Sequence, residues 1–166
     1  VMDALGRTNQ FLPPEIRPLR DDMVVLGRAM PVLEADDCGG VGPGRATDAL
    51  NRPFGLMVRA LDDRRPGEVY LCTGSSPSYA LWGELMSAAA IARGAAGAVV
   101  DGYSRDTRGI LKLNFPAFSR GRYAQDQLLR GKVVDFRCRI ALGATIVEPG
   151  DIVFGDLDGV EGGALP

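Results

Sequence analysis

Apolar residues fall in short runs separated by turn residues along most of the chain. Met23 to Met30 follows the turn Leu19-Arg20-Asp21-Asp22 and reads as a strand. Gly55 to Leu61 is apolar or alternating and closes at the turn Asp62-Asp63-Arg64-Arg65-Pro66-Gly67. Glu68 to Cys72, rich in Val, Tyr and Leu, predicts a strand, and Gly74 to Tyr79 a loop of small residues. The clearest helix comes next. Gly83 caps it, Glu84 lies in its first turn, and Leu85 to Arg93 are strong formers that end at Gly94. Its Leu-Met-Ala-Ala-Ala-Ile content is apolar around most of the circumference, which predicts burial. Gly97 to Val100, Phe115 to Phe118, Lys132 to Ile140 and Ile152 to Phe154 read as strands, the last after the turn Glu148-Pro149-Gly150-Asp151. Met2 to Leu5 reads as the tail of a helix and Asp36 to Arg45 as a Gly-rich loop. Helices and strands alternate in the centre and strands dominate both ends. That order predicts an α/β domain with a mixed sheet, in more than one layer. Residues 1–166 are expected to form a single domain whose termini are both trimmed.

Composition narrows the function more than the fold. With 46% hydrophobic and 24% charged residues, 166 positions suffice for one domain with its own core. Nineteen Lys and Arg stand against 21 Asp and Glu, a net charge of −2, which is a poor match for phosphate backbones. The sequence has no His. That removes Ser-His-Asp and Cys-His catalysis and His-ligated zinc, and leaves acid–base work to carboxylates, Lys, Tyr, Cys or water. Cys38, Cys72 and Cys138 form no C-x-x-C pair and read as reduced, mostly buried thiols of a cytoplasmic protein. No run approaches the roughly 20 apolar residues of a membrane span, and no leader pattern is present.

Several motifs fall away on inspection. Gly39-Gly40-Val41-Gly42-Pro43-Gly44-Arg45-Ala46 lacks the Lys and Ser/Thr of a phosphate loop and reads as a surface loop. Asp21-Asp22, Asp36-Asp37 and Asp62-Asp63 read as solvated turn charges. Ser119-Arg120-Gly121-Arg122 is basic but lacks the interleaved aromatics of a nucleic-acid surface. Cys72 reads as a core thiol and Trp82 as a packing anchor.

Leu81 to Ile110 carries the remaining chemistry. A helix start at Gly83-Glu84-Leu85-Met86 presents backbone amides that attract a carboxylate. The strand after it delivers Arg105 and Asp106 near its carboxyl end, where α/β sheets bind ligands. Arg105 is a fork-shaped donor for a carboxylate or carbonyl oxygen. Asp106 is a hard oxygen ligand and Glu84 can add a second, a set that suits Mg²⁺ or Mn²⁺ better than zinc. The residues alone also allow a plain salt link in a turn.

Gly83-Glu84-Leu85-Met86, then Arg93-Gly94-Ala95-Ala96-Gly97-Ala98-Val99-Val100-Asp101-Gly102 and Arg105-Asp106, resemble the RraA-like family. So do Asp3-Ala4-Leu5-Gly6, Phe115 to Gly121 and Pro149 to Val160, in the right order along nearly the whole chain. The family contains class II pyruvate aldolases, acting on 4-hydroxy-4-methyl-2-oxoglutarate and 4-carboxy-4-hydroxy-2-oxoadipate, and the regulator of ribonuclease E activity. The resemblance implies a swivelling β/β/α domain with mixed sheets and flanking helices, assembled as a homotrimer or hexamer with interfacial active sites. It implies that Arg105 holds the keto acid, that Asp106 binds the metal, and that Glu84 steadies a water on it. The amides of Leu85 and Met86, beside Gly83, take the substrate carboxylate. The aldolase pattern has an acidic residue where this chain has Gly109, and Asp where it has Glu84. The ribonuclease regulator lacks the metal-binding Asp, which Asp106 retains. The implied function is a metal-dependent aldolase acting on a small 2-keto acid, with oxaloacetate decarboxylase side activity. The alternative is a non-catalytic regulator that binds a protein partner such as a ribonuclease. Neither nucleic acid nor membrane is an expected partner.

Overall fold

A computed structural model describes residues 6, 8–37 and 52–163. The expected helix tail at Met2–Leu5, the Gly39–Ala46 loop and Cys38 lie outside the described residues. In chain order the elements are β1 (Arg17–Pro18), β2 (Val25–Asp36), α1 (Met57–Asp62), β3 (Glu68–Thr73), β4 (Ala80–Trp82), α2 (Glu84–Ala92), β5 (Gly97–Val100), β6 (Tyr103–Ser104), α3 (Thr107–Lys112), β7 (Ala117–Ser119), β8 (Gly121–Arg122), β9 (Gly131–Phe136), β10 (Ile140–Leu142), β11 (Thr145–Val147), β12 (Ile152–Asp156) and β13 (Gly159–Gly163).

The main sheet has the order β1-β7-β5-β3-β2-β12-β13, with β9 also on β2. Its centre, β7-β5-β3-β2, is parallel, and the outer strands are antiparallel. This is the mixed α/β architecture that the alternation of elements predicts. β2 is shared three ways: β3 covers one edge, while β12 and β9 divide the other. It therefore runs past Met30, where the sequence pattern ended it, through Pro31 to Asp36. The chain on either side supplies the bonding, as where Arg137 N–H donates to the Pro31 carbonyl at 2.7 Å.

Each of β3, β5 and β7 is interrupted and then resumes as β4, β6 and β8, which pair in parallel as a second, three-stranded sheet. Gly102 sits at one such break, where a Cβ would stand 2.7 Å from Leu81 Cδ1, so only glycine lets the layers approach. The core between the elements is built from Ile16, Met30, Leu71, Trp82, Ile110 and Phe118, among others. Trp82 is the anchor expected of it. It stacks on Phe115 at 5.8 Å between ring centroids and lies 5.0 Å from Tyr70.

The run from Gly55 to Leu61, which carried no assigned element, leads into the helix α1, because Gly55 and Leu56 dock on Val133 of β9 and turn the chain before Met57. Three expectations need correction. The expected strand Lys132 to Ile140 divides into β9 and β10 at Arg137, which adopts φ 55°. There its guanidinium reaches Glu68 Oε1 at 2.8 Å and Asp63. The helix α2 is not buried all round: only Ser87 and Ala90 are, while Leu85 is 82% exposed. The acid pairs are engaged rather than merely solvated. Asp36 accepts from Ser76 N–H at 2.9 Å and Tyr79 Oη at 2.8 Å, Asp37 pairs with Lys132, and Asp62 with Arg93. Among the described residues no helix is long and apolar enough to cross a membrane.

Candidate active site

The site forms where β4, β6 and β8 end, at the carboxyl edge of the small parallel sheet. Arg105 follows β6 directly, and its N–H donates to the Trp82 carbonyl at the end of β4, at 2.9 Å. Trp82 is followed by Gly83, the extended cap of α2. That corner is locked from below. Trp82 Nε1 donates to Ser87 Oγ at 2.8 Å, and Ser87 Oγ donates to the Gly83 carbonyl at 3.0 Å, all in the buried interior. The start of α2 is thus fixed relative to the strand that carries Arg105.

Asp106 stands on a left-handed backbone, φ 55° and ψ 33°, at the cap of α3. Its Oδ2 accepts from the Glu84 backbone N–H at 3.4 Å, the first amide of α2. A Cβ at Gly83 would lie 3.0 Å from the same oxygen, so glycine there opens the approach of the carboxylate to the helix start. Arg105 lies between two carboxylates: its Nε is 4.0 Å from Asp106 Oδ2 and its Nη2 is 3.3 Å from Asp126 Oδ2. Asp126 reaches this position because its residue bridges to Ala80 of β4, and its Oδ1 accepts from Leu128 N–H at 3.0 Å. Sequence reasoning missed Asp126. It is one acid in an unpatterned stretch, and nothing local marks it as a neighbour of Arg105.

Asp106 borders three adjoining clefts. One of about 150 Å³ is lined by Gly83, Leu85, Met86, Arg105 and Asp126, with Trp82 in its wall. A second, of about 280 Å³, lies between Arg105 and Tyr123. A third, of about 440 Å³, is bounded by Glu84, Gly109 and Lys112. Gly83, Leu85, Met86, Arg105 and Asp106 therefore come together, and Glu84 adjoins them across Asp106. The Glu84 side chain lies over Gly109. A Cβ added at Gly109 would stand 2.7 Å from Glu84 Cγ and nearer still to Cδ and Oε2.

The donor set permits a test of the metal assignment. Among the described residues no three acidic, Cys or His side chains gather as a closed metal cage. Asp106 and Glu84 instead offer one or two hard oxygen donors beside open clefts. That suits Mg²⁺, which binds through one or two carboxylates and keeps its remaining positions for water and substrate. It does not suit a structural zinc.

Other groups drop out of consideration. Cys72 is buried and desolvation pushes its thiol well above the usual range, so it is no nucleophile. Arg120 is engaged by Asp101 at 2.6 Å and Glu15 at 3.3 Å, and Arg122 donates to the Leu19 carbonyl. Arg120 is thus paired within the fold, while Arg122 keeps its charge and lines the cleft between Arg105 and Tyr123.

Comparison with known proteins agrees with this architecture. The family model described as RraA-like, aldolase/RraA, matches residues 1–161. A Halalkalibacterium halodurans protein, provisionally named a 4-hydroxy-4-methyl-2-oxoglutarate aldolase, is 32% identical over 162 residues, covering 96% of this chain and 69% of its own. A solved structure described among novel cellulases from microbes of the gut ecosystem superposes with a TM-score of 0.84 at 29% identity, over 97% of this chain and 68% of its own. Streptomyces coelicolor RraAS2, described as an unusual member of the RNase ES inhibitor RraA family, superposes with a TM-score of 0.79 at 22% identity, over 99% of this chain and 76% of its own, and bears on the fold alone. A family model spanning nearly all of the chain, and a relative matched along most of its length, establish that this chain belongs to the RraA-like family.

Proposed function

We propose that this protein is a divalent-metal-dependent carbon–carbon lyase that releases pyruvate from a small 4-hydroxy-2-keto acid, such as 4-hydroxy-4-methyl-2-oxoglutarate, and decarboxylates oxaloacetate. The observation that carries the reading is the meeting of Arg105 and Asp106 with Gly83, Leu85 and Met86 at the start of α2 in a cleft of about 150 Å³. That volume suits a small organic acid. The aldolase name of the 32%-identical relative supports the same class.

In this reading the amides of Leu85 and Met86 receive the substrate carboxylate at the positive end of α2. Arg105 donates to the keto oxygen and faces the negative charge that grows there as the C3–C4 bond breaks, where a fixed cation lowers the barrier. Asp126 holds the guanidinium in place from the far side. Asp106 and Glu84 would hold Mg²⁺ or Mn²⁺, which when bound supplies Lewis-acid polarisation of the keto group. A water hydrogen-bonded to the Glu84 carboxylate takes the C4 hydroxyl proton. The product half is pyruvate, formed when its enolate is protonated at C3. In oxaloacetate the same bond breaks with loss of CO₂, so one arrangement serves both reactions. The active assembly is a homotrimer or a pair of trimers working in the cytoplasm.

The test is pyruvate release from oxaloacetate, coupled to lactate dehydrogenase, with Mg²⁺ and then with EDTA. Turnover above that of free Mg²⁺, abolished by EDTA and by Asp106→Ala, is the expected result. A purified, folded protein without metal-dependent turnover on oxaloacetate or on 4-hydroxy-4-methyl-2-oxoglutarate would sink the lyase reading in favour of a binding role.

A further inference from the structure

Gly109 is the third residue of the six-residue helix α3. Its φ is not positive, so no turn geometry asks for glycine there. Alanine would serve the helix better, since glycine in a helix interior is destabilising. What the position does require is space. The Glu84 side chain crosses the bare Cα, and a Cβ would meet its Cγ at 2.7 Å and its carboxyl group closer still. The facing element repeats the arrangement. At Gly83 a Cβ would lie 3.0 Å from Asp106 Oδ2. Each of two neighbouring elements thus carries a glycine where the other's carboxylate is seated.

We infer that Gly109 is a positioning residue that seats the Glu84 carboxylate beside Asp106 and makes position 84 specific for Glu. The longer side chain and the missing one are a single feature: Glu has the reach to lie over α3, and only glycine leaves room for it. The acidic residue of the aldolase pattern at 109 is therefore not simply lost, because the carboxylate from position 84 occupies its space. The inference rests on the lyase reading for what Glu84 does, though not for where it lies.

The experiment compares wild type, Gly109→Ala, Glu84→Asp and the double variant Gly109→Ala/Glu84→Asp. Thermal midpoint, Mn²⁺ binding followed by the EPR signal of free Mn²⁺, and oxaloacetate turnover are read for each. Gly109→Ala is expected to keep its midpoint or gain about 2–4 °C from the better helix former. It should nevertheless weaken Mn²⁺ binding and turnover at least tenfold. Glu84→Asp alone should lose a similar factor, and the double variant should be no worse than Glu84→Asp alone, because the shorter carboxylate already clears the new methyl. Wild-type Mn²⁺ affinity and turnover in Gly109→Ala, or losses that multiply in the double variant, would overturn the inference. If wild type neither binds Mn²⁺ nor turns over, the lyase reading fails and the seat is judged by stability alone. Gly109→Ala should then raise the midpoint more in a Glu84→Ala background than in wild type, and equal shifts would overturn it.

Discussion

Asp106 holds a conformation that an L-residue adopts at a cost, of the order of 1–3 kcal/mol, while keeping its carboxylate on the first amide of α2. Strain held at such a point is consistent with a functional position, and it gives a test in which stability and activity part company. Asp106→Gly relieves the backbone and removes the carboxylate. It should leave the thermal midpoint unchanged or higher, and lower kcat/KM for oxaloacetate by about 10²–10³. An equal fall in midpoint and activity would mark Asp106 as merely structural. Asp126 belongs to the same scale. It touches Arg105 at the guanidinium end, so Asp126→Ala should raise KM for the keto acid about tenfold with a smaller change in kcat, and Asp126→Glu should restore part of the loss. Steady-state kinetics on the two variants separates these outcomes. Arg105 and Asp106 were legible in the sequence because they are adjacent and follow a strand. Asp126 was not, because only the bridge to β4 brings it near.

Within β2, Glu34 is buried beneath the sheet, and among the described residues its Oε1 has no hydrogen-bond partner. Burial, with the Asp36 charge adding to it, pushes its carboxyl up to about 8. Between the usual carboxylate value near 4.5 and about 8, the folded chain keeps a proton that the unfolded chain has released. Stability from this group is therefore full below about 4.5 and falls as pH rises toward 8, by up to roughly 1.4 kcal/mol per pH unit. Glu34→Gln should flatten the decline of the thermal midpoint between pH 5 and pH 8. A decline as steep as wild type would refute the assignment. The corner of α2 makes a second prediction. Ser87→Ala leaves the buried Trp82 Nε1 without its acceptor, at a cost of about 1–3 kcal/mol, which a thermal melt should register as a loss of about 2–10 °C. At this scale the long apolar runs were legible and the short elements were not. Strands of two or three residues such as β4, β6 and β8 have no period to read. They exist because parallel neighbours resume pairing after a break.

Across the whole molecule, Leu85 and Leu129 are each 82% exposed. Leu85 lines the cleft of Arg105, and Leu129 follows another lining residue, Gln127, two positions along the chain. Single exposed leucines are ordinary, but one in the lining of the candidate site suits a covering partner there. The proposed assembly supplies one in a second copy of this chain. Sedimentation velocity should give a trimer or larger species, and Leu129→Asp should lower its mass and reduce turnover with it. A monomer with full activity would contradict the proposal.

What the sequence decided by itself is what covalent neighbourhood decides. The missing histidines fixed which chemistry was open, the Gly83-Glu84 start fixed where α2 begins, and the Arg105-Asp106 pair fixed two candidate site residues side by side. The family likeness placed these in order along the chain. Tertiary structure alone decided that Asp126 steadies Arg105, that Glu84 lies over Gly109, that Arg137 ends β9, and that α2 leaves Leu85 in the open. Each of those depends on how separate strands and helices pack. Packing is a sum over distant contacts that no local pattern of residues records.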